Sequence, residues 1–184
     1  MKATGIVRRI DELGRVVIPK EIRRTLRIRE ADPLEIYTDR EGGIILKKYS
    51  PVGELSEHAK ALTAALCAAF SLPAAVCDRD AYVASAGLGR RDPTGKAVSL
   101  EIETAMLQRA RILTLTANDT RCPLLAEDDP AYQSATIVCI PIVTQGDAIG
   151  AVLLFSQRPD QAIDTAAVKA CETVALFLGK QMDE

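Results

Sequence analysis

The feature that most constrains this 184-residue chain is the stretch TGIVRRIDELGRVVIPKEIRRTL, residues 4–26. Two apolar runs, 5–10 and 15–18, flank a Leu13-Gly14 turn, and a short basic helix follows. Pro19 suits the first position of that helix, because its missing N–H would be unpaired there and its fixed φ is already helical. Ile22 and Leu26 stand four apart on one helix face, while Arg23, Arg24 and Arg27 populate the rest. Between positions 8 and 29 there are eight Lys/Arg (Arg8, Arg9, Arg15, Lys20, Arg23, Arg24, Arg27, Arg29) against three acids (Asp11, Glu12, Glu21). A guanidinium is a planar, permanently charged fork, so arginines on a short strand–turn–helix unit suit phosphates and guanine edges. The bland account of the same run is a solvated face, with the arginines salt-bridged to those three acids.

Charge is distributed unevenly. Residues 1–50 hold twelve Lys/Arg and eight Asp/Glu, net +4, and residues 51–184 hold eleven and seventeen, net −6. A basic head on an acidic body argues for a nucleic-acid end and a second end with another task. No secretory signal is expected, since Met1-Lys2 leads at once into a mixed strand. The longest uncharged run, 61–77, is Ala-rich and broken by Ser71 and Pro73, so no membrane span is expected. Five cysteines (Cys67, Cys77, Cys122, Cys139, Cys171) lie far apart without a CxxC, which suggests reduced thiols in a cytoplasmic protein.

Segments 34–38 and 44–49 read as strands joined at Glu41-Gly42-Gly43. The head is then two hairpin-like strand pairs and one helix in about fifty residues, too little to bury a comfortable core alone. Pairing with a second copy is expected on that ground, and two-fold symmetry would double the arginine set. Pro51 and Gly53 interrupt the pattern where the charge changes sign, giving domains 1–53 and 54–184. The second domain opens with a helix over 55–70, striped by Leu55, Ala59, Leu62, Leu66 and Ala69. Strands at 74–77 and 81–85, a helix over 98–110 and a strand at 112–116 follow, then an irregular loop over 118–130. Two strong strands, 134–144 and 148–156, are joined at Gln145-Gly146-Asp147, with Pro141 expected at an edge or bulge. A helix over 163–182 closes the chain, striped by Ile163, Ala167, Ala170, Val174, Phe177 and Gln181. The class is α+β with an antiparallel sheet and flanking helices.

Catalytic patterns are thin. His58 is the single histidine, so a Ser/His/Asp or Cys/His set would rest on it alone, and a surface role is the simpler reading. Cys67, Cys77, Cys139 and Cys171 fall within apolar strands or Ala-rich helices and read as small buried hydrophobes. Cys122 stands beside Arg121, which would lower its pKa. Gly87-Leu88-Gly89 lacks the rest of a dinucleotide fingerprint. Adjacent carboxylates such as Glu127-Asp128-Asp129 ordinarily face water. No catalytic residue, metal site or cofactor is expected, and no enzyme emerges.

The stretch GIVRRIDELGRVVIPKEIRRTL closely resembles the AbrB-type DNA-binding domain of spore-forming bacteria, and the likeness extends through ILKKYSP. That resemblance implies a swapped-hairpin fold, in which two chains interleave their strands into one small dimeric barrel that binds double-stranded DNA. It places DNA contacts on Arg8, Arg15, Arg23 and Arg24; Arg9 and Lys20 belong to the same basic surface. Ala31 departs from the family's usual glycine before Asp32, and Ala takes a positive φ less readily. The order of the later elements, with the strand pair ending GDAIGAVLLFS, resembles a GAF-type domain, the small-molecule sensor fold. Its first and last helices would lie on one face and pair with a second copy, joining two head dimers into a tetramer. Together these likenesses imply a sporulation-gene regulator in the cytoplasm of the developing spore, with a small-molecule ligand as a further candidate partner. Two rivals are an antitoxin-like interaction protein, which shares such a head, and a thiol enzyme seated in the second domain.

Overall fold

The computed structural model describes residues 5–30, 32–117, 121–127 and 129–182. Thr4, Ala31, Asp128 and positions 118–120 of the irregular loop lie outside the described residues. Two compact units meet between Tyr49 and Ser50, four residues before the boundary expected from the sequence. The reason is local. Val52, in the short helix α2 (Pro51–Glu54), is fully buried in the core of the second unit. Ser50 accepts the Gly53 N–H at 3.0 Å and donates its own hydroxyl to Asp78 at 2.6 Å. The Pro/Gly pattern that reads as a linker is therefore a capped turn of helix docked on that unit.

In the head, helix α1 (Lys20–Thr25) starts directly after Pro19. It ends where Arg27 adopts the left-handed region at φ 51°, and the Ile28 N–H closes back on the Arg23 carbonyl at 2.8 Å. Strands β1 (Leu34–Thr38) and β2 (Ile44–Lys48) form an antiparallel hairpin from Leu34↔Lys48 to Thr38↔Ile44. The runs 5–10 and 15–18 differ from expectation: neither is a strand here, and among the described residues the backbone rung between their ends is the Asp11 N–H to the Arg15 carbonyl at 3.0 Å. No apolar residue described between 5 and 49 is buried. Val7, Leu13, Val17 and Ile44 are each more than 70% exposed, so one chain leaves the apolar half of this pattern uncovered.

The second unit is built on a five-stranded antiparallel sheet. Its strands are β3 (Ala74–Asp78), β4 (Tyr82–Ala86), β5 (Ile112–Thr114), β8 (Thr136–Thr144) and β9 (Asp147–Ser156), in the order β4-β3-β9-β8-β5. A two-stranded ribbon of β6 (Cys122–Pro123) and β7 (Gln133–Ser134) lies in the connection. Pro141 sits beyond Ile137–Cys139, where β5 pairs, so its missing N–H falls on an open edge of β8 next to the bulge at Ile142/Val143. Helices α3 (Ser56–Phe70) and α5 (Thr165–Gln181) cover one face of the sheet, and α4 (Leu100–Leu107) covers the other. Both helix termini follow their sequences: Asp164 caps α5 through the Ala167 N–H, and Ser99 caps α4 through the Ile102 N–H. Gly150 is required where β9 crosses β3, because a Cβ there would stand 2.2 Å from the Cys77 carbonyl oxygen.

The buried stripes are turned from those read in the sequence. On α5 the sheet takes Ala167, Val168, Cys171, Val174, Ala175 and Leu178, leaving Phe177 outside. On α3 it takes Ala59, Thr63 and Leu66, and Ala69 stays exposed. No helix formed by the described residues is long and apolar enough to cross a membrane.

Candidate nucleic-acid interface

The basic residues hang on one turn and one helix. Asp11 opens the turn: its carbonyl accepts the Gly14 N–H at 3.0 Å, and its Oδ1 accepts the backbone N–H groups of Leu13 at 3.0 Å and Arg15 at 2.8 Å. Gly14 has φ +76°, the left-handed conformation that ends a three-residue hairpin loop and that glycine adopts without steric cost. Arg15 leaves the turn with its Nε donating to Asp11 Oδ2 at 2.8 Å. The Arg15 N–H and guanidinium hold the Asp11 carboxyl below its usual range.

The two turns of the head share one construction. Asp39 Oδ1 accepts from the Glu41 N–H at 2.9 Å and the Gly43 N–H at 2.6 Å, and Gly42 has φ +82°. Both turns therefore read Asp-x-x-Gly-x, with the carboxylate serving the second and fourth residues onward. That repeat is visible in the sequence as DELGR and DREGG, and it is the signal that reading by apolar runs passes over.

All six predicted cations, Arg8, Arg9, Arg15, Lys20, Arg23 and Arg24, are exposed. Lys20, Arg23 and Arg24 ride together on α1, which buries no residue. Arg8 and Arg9 lie on the segment before the Asp11 turn, and Arg8 returns one guanidinium N–H to the Val7 carbonyl at 3.1 Å. The salt bridge to Asp11 engages Arg15; Glu12 and Glu21 take none of the six among the described residues. Behind α1, Lys48 bridges Asp32 at 3.0 Å and donates to the Arg27 carbonyl at 3.1 Å, tying β2 to the end of the helix.

In the second unit, apolar side chains pack beneath α4. Between the sheet and α4, Ile102, Leu124, Ile137, Leu153 and Phe155 are buried together. Tyr82 donates its hydroxyl to the Leu124 carbonyl at 2.8 Å, and the Lys96 ammonium sits 4.3 Å from the Tyr132 ring centre. A groove of about 450 Å³ lies outside α4, between Thr104 and Arg111. Four of the thiols are held protonated by their surroundings. Burial and the nearby Glu101 charge push Cys122 up to about 11, opposite to the lowering expected from Arg121. Burial raises Cys171 to about 12 and also raises Cys77 and Cys139. His58 is exposed on α3, its ring centre 6.3 Å from that of Phe177 on α5.

Comparison with known proteins places both units. Residues 54–183 match the family described as Stage V sporulation protein T C-terminal, transcription factor. Residues 7–54 match Antidote-toxin recognition MazE, bacterial antitoxin. The chain is 50% identical over 184 residues, the whole of both chains, to Stage V sporulation protein T of Bacillus subtilis. Over 63 residues, 31% of this chain and 65% of the relative, it is 64% identical to the transition state regulatory protein AbrB of the same organism. The GAF domain of an Acinetobacter phosphoenolpyruvate-protein phosphotransferase shares the fold at TM-score 0.56 and 13% identity, covering 74% of this chain and 84% of that one. With an AbrB-type head, a GAF-like second domain and a relative matching end to end, the chain belongs to the stage V sporulation protein T family of transcription factors.

Proposed function

We propose that this protein is a sequence-selective DNA-binding regulator of sporulation genes, acting in the cytoplasm of the developing spore and holding DNA through Arg8, Arg9, Arg15, Lys20, Arg23 and Arg24. The observation that carries the reading is a head with six exposed cations and no buried apolar residue among its described residues. Such a unit is half of something, and a second copy interleaved with it covers the exposed Val7, Val17 and Ile44 while doubling the cations. A barrel of that kind offers no long recognition helix, so most of its contacts fall on phosphate and its preference draws on DNA shape.

The second domain assembles head dimers into a tetramer. Ala61, Ala65, Ala68 and Ala69 on α3 and Leu176 and Phe177 on α5 remain outside the domain's own core, a small-residue surface that a neighbouring helix can approach closely. Two basic surfaces on one assembly raise affinity through effective concentration. An antitoxin role is disfavoured because the part after the head is a folded domain, and thiol chemistry at Cys77, Cys122, Cys139 and Cys171 because burial raises the pKa of each.

The test is to replace Arg8, Arg15, Arg23 and Arg24 singly by Ala and measure binding to a preferred and a scrambled duplex over several salt concentrations. Removing a phosphate anchor lowers affinity for both duplexes alike and reduces the salt slope by about one for each phosphate no longer neutralised. In a symmetric dimer each substitution acts at two phosphates. Wild-type affinity in all four variants removes this face from DNA binding.

A further inference from the structure

Resting on the DNA-binding reading, the geometry points to Asp11 as a positioning residue that holds Arg15 for bidentate readout of a guanine, separate from the phosphate contacts of the other arginines. Three observations lead there. First, Asp11 divides its work between two oxygens. Oδ1 accepts from the Leu13 and Arg15 backbone, and Oδ2 accepts from Arg15 Nε at 2.8 Å. Second, the Asp39 turn is closed through Oδ1 at the same two relative positions, with Gly43 where the first turn has Arg15. The turn itself is thus made by one oxygen, and the contact from Oδ2 to a guanidinium is additional.

Third, the contact is made to Nε. Pinning an arginine by that nitrogen leaves the far edge of the fork, Nη1 and Nη2, directed away from the carboxylate, and the Arg15 side chain is 71% exposed. That two-pronged edge matches O6 and N7 of guanine in the major groove. A pair this exposed adds little to stability, so its consequence is orientation. Ordering the side chain before binding removes a cost of forming the complex, and removes it only for a base that accepts both prongs. Among the described residues, Arg23 and Arg24 have no carboxylate in this arrangement, which suits them to phosphate, where direction matters less.

Asp11→Asn separates the two tasks. Its amide oxygen can still accept the two backbone N–H groups, and Asn favours this turn; its NH₂ cannot accept from Nε. The full chain is measured on a duplex selected from a randomised pool, on a scrambled duplex, and on versions with each G·C pair changed to A·T. The expected result is a roughly ten-fold fall in the selected-to-scrambled affinity ratio, confined to one guanine per half-site. Oligomer mass and salt slope stay at their wild-type values, and Asp11→Asn has no further effect in an Arg15→Ala background. Arg15→Lys, which keeps the charge and loses the fork, should reproduce the same loss if Asp11→Asn lowers the melting temperature. A wild-type ratio in Asp11→Asn beside an abolished ratio in Arg15→Ala overturns the positioning role and leaves Arg15 as an unassisted reader. Equal weakening of both duplexes by Arg15→Ala makes Arg15 a phosphate anchor and overturns the proposal, with the interface intact. Failure of the interface itself is distinct: Arg15, Arg23 and Arg24 variants would all bind as wild type.

Discussion

At the scale of single residues, carboxylates do much of the building in a head that has almost no core. Asp32 is the strongest case after Asp11. Its side chain is 8% exposed, and its Oδ2 accepts from the Arg29 N–H at 2.7 Å and from Lys48 at 3.0 Å. Burial alone would raise its pKa, but the Arg29 N–H and the Lys48 charge outweigh burial and hold the carboxyl below its ordinary value. A carboxyl whose folded pKa is lowered binds its proton more readily in the unfolded chain, so its contribution is present above the unfolded value and fades as pH falls through the folded one. Asp32→Asn should therefore destabilise the head by about 1–2 kcal/mol at neutral pH. Urea unfolding at stepped pH should show that gap holding down to about pH 4 and closing below it. A gap that persists undiminished at about pH 2, below the ordinary carboxylate range, would mean that packing, not charge, is what the substitution removes.

At the scale of elements, α5 buries one side and leaves the other open. The sheet takes the Val174 side of α5, where Val174 and Leu178 are buried, and leaves Leu176 66% exposed on the other side. A charge at Val174 would lie in the domain's own core, so it would report on folding and not on assembly. Leu176→Glu is the discriminating substitution. If the outer faces of α3 and α5 meet a second copy, a carboxylate there is buried without a partner, and the tetramer should fall to head-paired dimers. Light scattering gives the mass, and circular dichroism should show the domain's fold and melting preserved. DNA binding should weaken through reduced effective concentration while the dimer's own contacts remain. Retention of the full mass by Leu176→Glu would place the assembly surface elsewhere.

For the whole molecule, the division between a coreless head and a packed second domain makes their stabilities different in kind. The second domain buries its own side chains on both faces of one sheet, in two clusters. On the proposed pairing the head folds only with a partner, which makes its folding a bimolecular event and its stability inseparable from concentration. Residues 1–53 expressed alone should sediment as a folded dimer, with a melting midpoint that climbs as protein concentration rises. A folded monomer that melts at one temperature across a hundred-fold range of concentration would refute the interleaved pairing. The basic head and acidic body fit the same division, since like charges cluster where DNA neutralises them.

Much of this was legible in the sequence because it is local. Pro19 and the Gly14 and Gly42 turns act within a few residues, so α1 and the two turns follow from spacing alone, whereas the last helix, expected from 163, starts at Thr165 behind the Asp164 cap. Alternation marked the strands, and the arginine set was visible as composition before any geometry. The tertiary structure decided what depends on partners distant in the chain. Whether 5–10 and 15–18 become strands is set by what they pair with, and apolar pattern does not say that this chain alone supplies no such partner among its described residues. The face each helix buries was missed by a fraction of a turn, because Ala-rich helices offer several near-equivalent stripes and the sheet chooses among them. Ser50 and Val52 joined the second domain through Asp78 and Gly150, residues far along the chain. The fate of Cys122 turned on burial, which outweighs one neighbouring arginine and is a property of the folded molecule alone.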